Sequence, residues 1–317
     1  MNLVPWLCWS IPVAGALLVL ISARFSGKLR DLVAISASFL ALLMSVLLIP
    51  NLLGGIYYEE KVVWVSIPHL KPISIGMLVD PISIIFACAV AFISFMIMVY
   101  SFKYMHGEAG VTRYWFMMNL FIGGMLLLVL ADNFILFLVG WKIVGFCSYA
   151  LIGHYYRDER EYWIGGPPPT DFNAPSYCGL KAWIMTSVGD TFLLAGIILL
   201  FIYAGTFSFT DLYRTAPNWI AKMAEAPHML ALISLLLIGG VVGKSAQFPL
   251  HEWLPEAMAG PAPVSALIHA ATMVKAGVYL VARLLPIFFY GGWVVGHGEA
   301  LTFFMLVACL GAFTAFL

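Results

Sequence analysis

Nine stretches of this chain are apolar over the length of a bilayer crossing, which takes about 20 helical residues, and they dictate most of what it can fold into. The runs extend from about Leu3 to Ile21, Leu32 to Leu53, Pro81 to Phe102, Tyr114 to Leu130 and Asn133 to Gly153. They continue from about Leu180 to Ala204, His228 to Leu250, Pro263 to Leu285 and Leu301 to Leu317. In hydrocarbon each must be helical, because its backbone N–H and C=O groups find no water there. The expected fold is all-α: a polytopic bundle of about nine transmembrane helices, one membrane domain over residues 1–317. Helices 1–3 fall in 1–112, helices 4–8 in 113–286, and a further unit begins at 299–317.

Composition agrees. The chain is 62% hydrophobic and 10% charged, with net charge zero, against about half and a quarter for soluble domains. That excludes a water-soluble globule, a disordered chain and a basic nucleic-acid binder, so the lipid bilayer is an expected partner and nucleic acid is not. The segment from Met1 to Ser10 has no Lys or Arg, which reads as a retained span and not a cleaved signal peptide. The five cysteines form no CxxC pair, so neither a disulfide framework nor a metal site is expected. The last run reaches Leu317 without a flanking charge or aromatic anchor, and the chain is expected to be part of something longer.

Connecting Lys and Arg residues set orientation. Arg24, Lys28, Arg30, Lys103, Arg113, Arg157, Arg160 and Lys181 lie on one side, against Lys61, Lys71, Arg214 and Lys222 on the other, with Arg283 near the end of helix 8. Eight against five places the N-terminus outside. The segment from Tyr162 to Ser176, with Gly165, Gly166 and Pro167 to Pro169, is too polar and Pro-rich to be helical.

Charges inside the apolar runs carry the functional signal, because each costs about 2.5–3.5 kcal/mol near the bilayer centre on insertion scales. Lys142 lies in helix 5, Asp190 in helix 6, Lys244 in helix 7, and His269 and Lys275 in helix 8. Ser265, His269 and Thr272 share a face of helix 8 at helical spacing, and Lys275, about 60° from Thr272, extends that arc. An arc of hydroxyl, imidazole and ammonium groups in lipid suits a hydrated proton path. Asp190 and Lys275 read equally well as structural partners of a neighbouring charge, and His269 as a satisfied core histidine. Lys181 reads as a side chain snorkelling to the interface, Asp80 and Asp132 as interfacial, and Glu252 and Glu256 as caps of a broken helix. Lys244, beside Gly239, Gly240 and Gly243, fits a discontinuous transporter helix. The segment Gly239 to Ser245 is no phosphate loop, since Ile238 stands where the first glycine is needed. His251-Glu252 fails as a zinc motif, since Pro255 replaces its second histidine.

Two stretches point to a family. One is Lys244-Ser-Ala-Gln-Phe-Pro-Leu-His-Glu-Trp-Leu-Pro-Glu256 followed by Gly260-Pro-Ala-Pro-Val-Ser-Ala-Leu-Ile-His269-Ala-Ala-Thr-Met-Val-Lys275. The other is Gly140-Trp-Lys-Ile-Val-Gly-Phe-Cys-Ser-Tyr149, with Lys181-Ala-Trp-Ile-Met-Thr-Ser-Val-Gly-Asp190. Together they resemble the antiporter-like subunits of respiratory complex I, in the chain 5 or chain L branch, which also resemble Mrp-type cation/proton antiporter subunits. The resemblance implies a first half-channel built from helices 4–8, with Lys244 at its centre, His269 leading onward and Asp190 as an acid on helix 6. It implies proton movement driven by a distant redox module in partner membrane subunits of a prokaryotic plasma membrane. Quinone, flavin and iron–sulfur clusters would sit in those partners, and no cofactor or metal in this chain. Two departures stand out: Lys142 replaces the glutamate that the family pairs with the helix 7 lysine, and residues 1–317 reach only about the start of the family's inverted second repeat, without its second half-channel and lateral helix. A cation/proton antiporter and a non-conducting scaffold remain the alternatives.

Overall fold

A computed structural model describes residues 2–65, 73–164, 172–223, 226, 228–295 and 297–316. The apolar runs become helices α1 (Val4–Ser22), α2 (Gly27–Val46), the short α3 (Ile49–Gly54), α4 (Pro81–Tyr104), α5 (Val111–Leu130), α6 (Phe134–Ile152) and α7 (Pro175–Ala204). Short helices α8 (Phe209–Arg214) and α9 (Ala216–Met223) precede α10 (His228–Lys244). The chain continues through α11 (Trp253–Glu256), α12 (Ala262–Ala266), α13 (Met273–Val295) and α14 (His297–Phe316). Among the described residues seven helical segments are long and apolar enough to span a membrane; an eighth follows if α9 and α10, bent by 114°, form one span. The ninth run is represented by a shorter apolar helix within α14.

Capping fixes where these helices begin. The Asp80 carboxylate accepts from the Ser83 backbone N–H at 2.8 Å, and the Ser83 hydroxyl accepts from the Asp80 backbone N–H at 2.9 Å, so two orphan donors at the start of α4 are satisfied. Asn133 does the same for α6, accepting from Leu136 N–H at 2.9 Å. The helix α5 is the most enclosed, packed against α1, α2, α4 and α6.

A two-stranded antiparallel hairpin, β1 (Tyr58–Val65) and β2 (Ile73–Val79), departs from the all-helical expectation. It lies on the turn between α5 and α6: Asp132 N–H donates to Gly76 O at 3.1 Å, and Asn133 Nδ2 donates to Ser74 O at 2.8 Å. Lys71, counted as a loop charge, lies outside the described residues, as do Gly165, Gly166 and Pro167 to Pro169. Pro175 and Ser176, read from sequence as loop, instead form the first turn of α7, where proline's missing N–H is harmless.

The discontinuous helix expected around Lys244 is present: α10 stops after Lys244 and an irregular stretch follows at 245–252 before α11. The glycines are not the point of the break, since the helix runs through Gly239, Gly240 and Gly243. Instead the glycines allow close packing: a Cβ on Gly189 of α7 would lie 2.8 Å from the Gly239 carbonyl oxygen. The eighth run contains one wide turn at 267–271, with hydrogen bonds five residues apart, between α12 and α13. Thr272 Oγ1 donates to Leu267 O at 2.7 Å, tying the residue after the turn to its first residue.

Candidate functional site

The site forms where α6, α7 and α10 meet. Asp190, 4% exposed on α7, is held on both carboxylate oxygens. Trp141 Nε1 donates to Oδ1 at 2.5 Å, and Lys142 Nζ donates to Oδ2 at 2.6 Å. Neighbours on α6, Trp141 and Lys142 thus grip one acid from two sides. The two partners differ in access: Trp141 is fully buried, while the Lys142 side chain is 53% exposed.

Lys244 is fully buried, and its ammonium has no hydrogen-bond partner among the described residues. It stands over the Trp141 ring, 5.7 Å from the ring centroid, a distance at which the negative face of the ring attracts a cation. Two further features accommodate it. It is the last residue of α10, the end whose unpaired carbonyls favour positive charge. Gly145 on α6 leaves it room, for a Cβ there would lie 2.5 Å from Nζ. Lys142, Asp190 and Lys244 are therefore linked through one indole, whose N–H holds the acid and whose face meets the second lysine.

The structure does not bring the other two predicted residues into this cluster. His269 is half-buried in the wide turn, with Nε2 buried and without a partner among the described residues. Lys275 is exposed. The polar arc expected on helix 8 assumed an unbroken 100° step. The wide turn inserts one extra residue between Ser265 and Thr272, so Thr272 and Lys275 both rotate by about 100° relative to Ser265, and Lys275 falls at about 180° from it. Ser265 and Thr272 are buried and satisfied by carbonyls of Ala257 and Leu267.

Three charge arrangements escaped the sequence reading. Lys181 finds specific partners: its ammonium lies 2.7 Å from Glu256 and 3.3 Å from the exposed Glu252, which reach back from the segment after α10. Arg283, expected near the end of helix 8, lies well inside α13, which continues to Val295. It is 1% exposed within α13 and forms a two-pronged contact with Asp80, one arm of which measures 2.9 Å. Its Nε donates to Tyr279 Oη at 2.7 Å, and Tyr279 in turn donates to Val129 O at 2.6 Å. Asp132 is fully buried under the hairpin, accepting from Asn133 Nδ2 at 2.5 Å. Burial and the nearby Glu59 push its pKa up to about 6, although Lys61 opposes. An acid before a helix cap and a lone Arg in an apolar run were the available signals.

A family model described as "NADH:quinone oxidoreductase/Mrp antiporter, TM" matches residues 131–317, and one for the "NADH-Ubiquinone oxidoreductase (complex I), chain 5 N-terminus" matches 64–115. NADH-quinone oxidoreductase subunit L of Escherichia coli is 38% identical over 282 residues, covering 88% of this chain and 43% of that protein. The Pseudomonas aeruginosa subunit L is 40% identical over 296 residues, covering 91% and 45%. This chain spans less than half the length of these relatives. In three dimensions it is similar to a chain of the Mrp complex of a Dietzia strain, with TM-score 0.68 and 27% identity over 87% of this chain and 27% of that one. A chain of an archaeal membrane-bound sulfane sulfur reductase shares the fold, with TM-score 0.72 and 21% identity over 90% and 54%.

Proposed function

Because this chain belongs to the NADH:quinone oxidoreductase/Mrp antiporter transmembrane family, we propose that it moves protons across the membrane as one subunit of a redox-driven, complex I-like assembly. One observation carries the reading: Lys244, fully buried and without a hydrogen-bond partner among the described residues, stands against the indole that holds the Lys142–Asp190 pair. A buried ammonium without an acceptor is poised to give up its proton. Asp190 can take a proton only if Lys142 or Trp141 releases an oxygen, so movement of Lys142 is the step that opens the acid. Charge rearrangement in partner subunits would drive that movement. His269, a half-buried imidazole, would hand protons onward from α12–α13, with Lys275 exposed beyond it.

Proton transfer is favoured over metal-cation transport by charge: two lysines, Lys142 and Lys244, already face the one carboxylate of Asp190, so a metal cation would enter a site with more positive than negative groups. Quinone, flavin and iron–sulfur clusters belong to partner membrane subunits in this reading. The N-terminus lies outside a prokaryotic plasma membrane. The charge count supports this more strongly once the buried Arg283 leaves the five, giving eight against four.

The test is Lys244→Met in the intact assembly reconstituted into vesicles. Donor-driven proton uptake should be lost while electron transfer to an artificial acceptor persists. Unchanged uptake refutes the role, and absence of uptake in the unaltered assembly would mark the chain as a scaffold.

A further inference from the structure

Lys142 lies within one residue of the midpoint of α6 (Phe134–Ile152), yet it opens onto the outside of the bundle. Its ammonium carries three donors. One reaches Asp190 at 2.6 Å. No other described residue accepts from it. Lipid tails offer no acceptor, and at mid-helix the stem is too far from either interface to carry the charge to water.

The surface around it is apolar. Val139, Phe146 and Tyr149 are exposed on the same face of α6, at spacings of three, four and three residues with Lys142 included. Ile184 and Val188 of α7 are exposed beside them. Trp183 joins the two helices at ring distances of 6.3 Å to Phe146 and 6.1 Å to Tyr149. A water-filled opening would be lined with polar groups, and among these exposed side chains only the Lys142 ammonium and the Tyr149 hydroxyl are polar. The charge is also unbalanced: two lysines, Lys142 and Lys244, share one carboxylate, Asp190.

We propose that this α6–α7 face docks a transmembrane helix of a partner subunit carrying an Asp or Glu at the depth of Lys142. The apolar band supplies the packing, and the partner's carboxylate accepts the free ammonium donors and balances the second positive charge. Lys142 then bridges two acids, its own Asp190 and one in the neighbouring subunit. The inference requires membrane embedding and not proton transfer, so its test and the pumping assay fail independently.

The experiment places a photo-crosslinking amino acid at Val139 and, separately, at Phe146, in the whole assembly in its native membrane. Adducts are identified by mass spectrometry. The expected product joins this chain to a transmembrane segment of another subunit, within one helical turn of an Asp or Glu. With the probe at Phe146, adduct yield should fall several-fold on adding Lys142→Met and be retained with Lys142→Arg. Adducts to lipid, within the same polypeptide, to a second copy of this chain, or to a partner segment without an acid overturn the proposal. So does a yield indifferent to Lys142→Met.

Discussion

Lys142 Nζ and Asp190 Oδ2 lie 2.6 Å apart across α6 and α7, yet one belongs to a half-exposed side chain and the other to an enclosed one. The cost of breaking the pair therefore falls on Asp190. Lys142→Met leaves that carboxylate with Trp141 as its sole donor. Loss of a hydrogen bond to a charged group costs about 1.5–3 kcal/mol, and a destabilisation of that order is expected in thermal unfolding of the purified assembly. Adding Asp190→Asn should recover most of it, because the buried charge is gone. A double variant no more stable than Lys142→Met would show the two residues to be independent.

Arg283 ties α13 to the start of α4 and, through Tyr279, to α5. Arg283→Met should strand Asp80 and destabilise the fold by about 3–5 kcal/mol, the usual cost of removing one member of a buried pair. Asp80→Asn with Arg283→Met should be less damaging than Arg283→Met alone. Melting of the three variants in detergent is the measurement.

His154, just beyond α6, is buried; this and the nearby Arg113 lower its pKa from 6.5 to about 4, with the Ala109 carbonyl opposing. The unfolded chain therefore takes up this proton first as the pH falls. The stability due to neutral His154 is complete above about pH 6.5 and is lost as the pH drops towards 4. His154→Gln should flatten that part of the unfolding profile, seen as the difference between variant and wild-type midpoints across pH 4 to 7.

Asp132 has the opposite sign in nearly the same window. Its pKa is raised from 3.8 to about 6, so the folded chain holds the proton longer. Its contribution is greatest at low pH and is lost as the pH rises from about 4 to about 6. Asp132→Asn should raise the unfolding midpoint at pH 8 more than at pH 4. A uniform shift would show that the carboxylate keeps its charge under the hairpin.

The membrane architecture and the central lysine were legible because lipid leaves so few options. Twenty apolar residues must be helical, and a Lys within them must be explained. Which charges pair was not legible, since pairing depends on neighbours distant in sequence: Arg283 and Asp80 are 203 residues apart, and Lys181 meets Glu256 75 residues later. The hairpin was missed because Tyr58 to Val65 mixes Glu59, Glu60 and Lys61 with four consecutive apolar residues and shows no clean alternation. Lys275 was misplaced because nothing in Leu267-Ile-His-Ala-Ala271 signals a wide turn.

That turn matters for reading relatives. A sequence alignment records identity by position, and a single extra residue inside a helical turn leaves every later letter in register while rotating it by about 100° about the axis. Two proteins identical from Thr272 onward would present those residues to different neighbours if only one carried the wide turn. In this family, shared letters after Ala271 are a statement of ancestry, and the compass bearing of each side chain has to be read from the backbone.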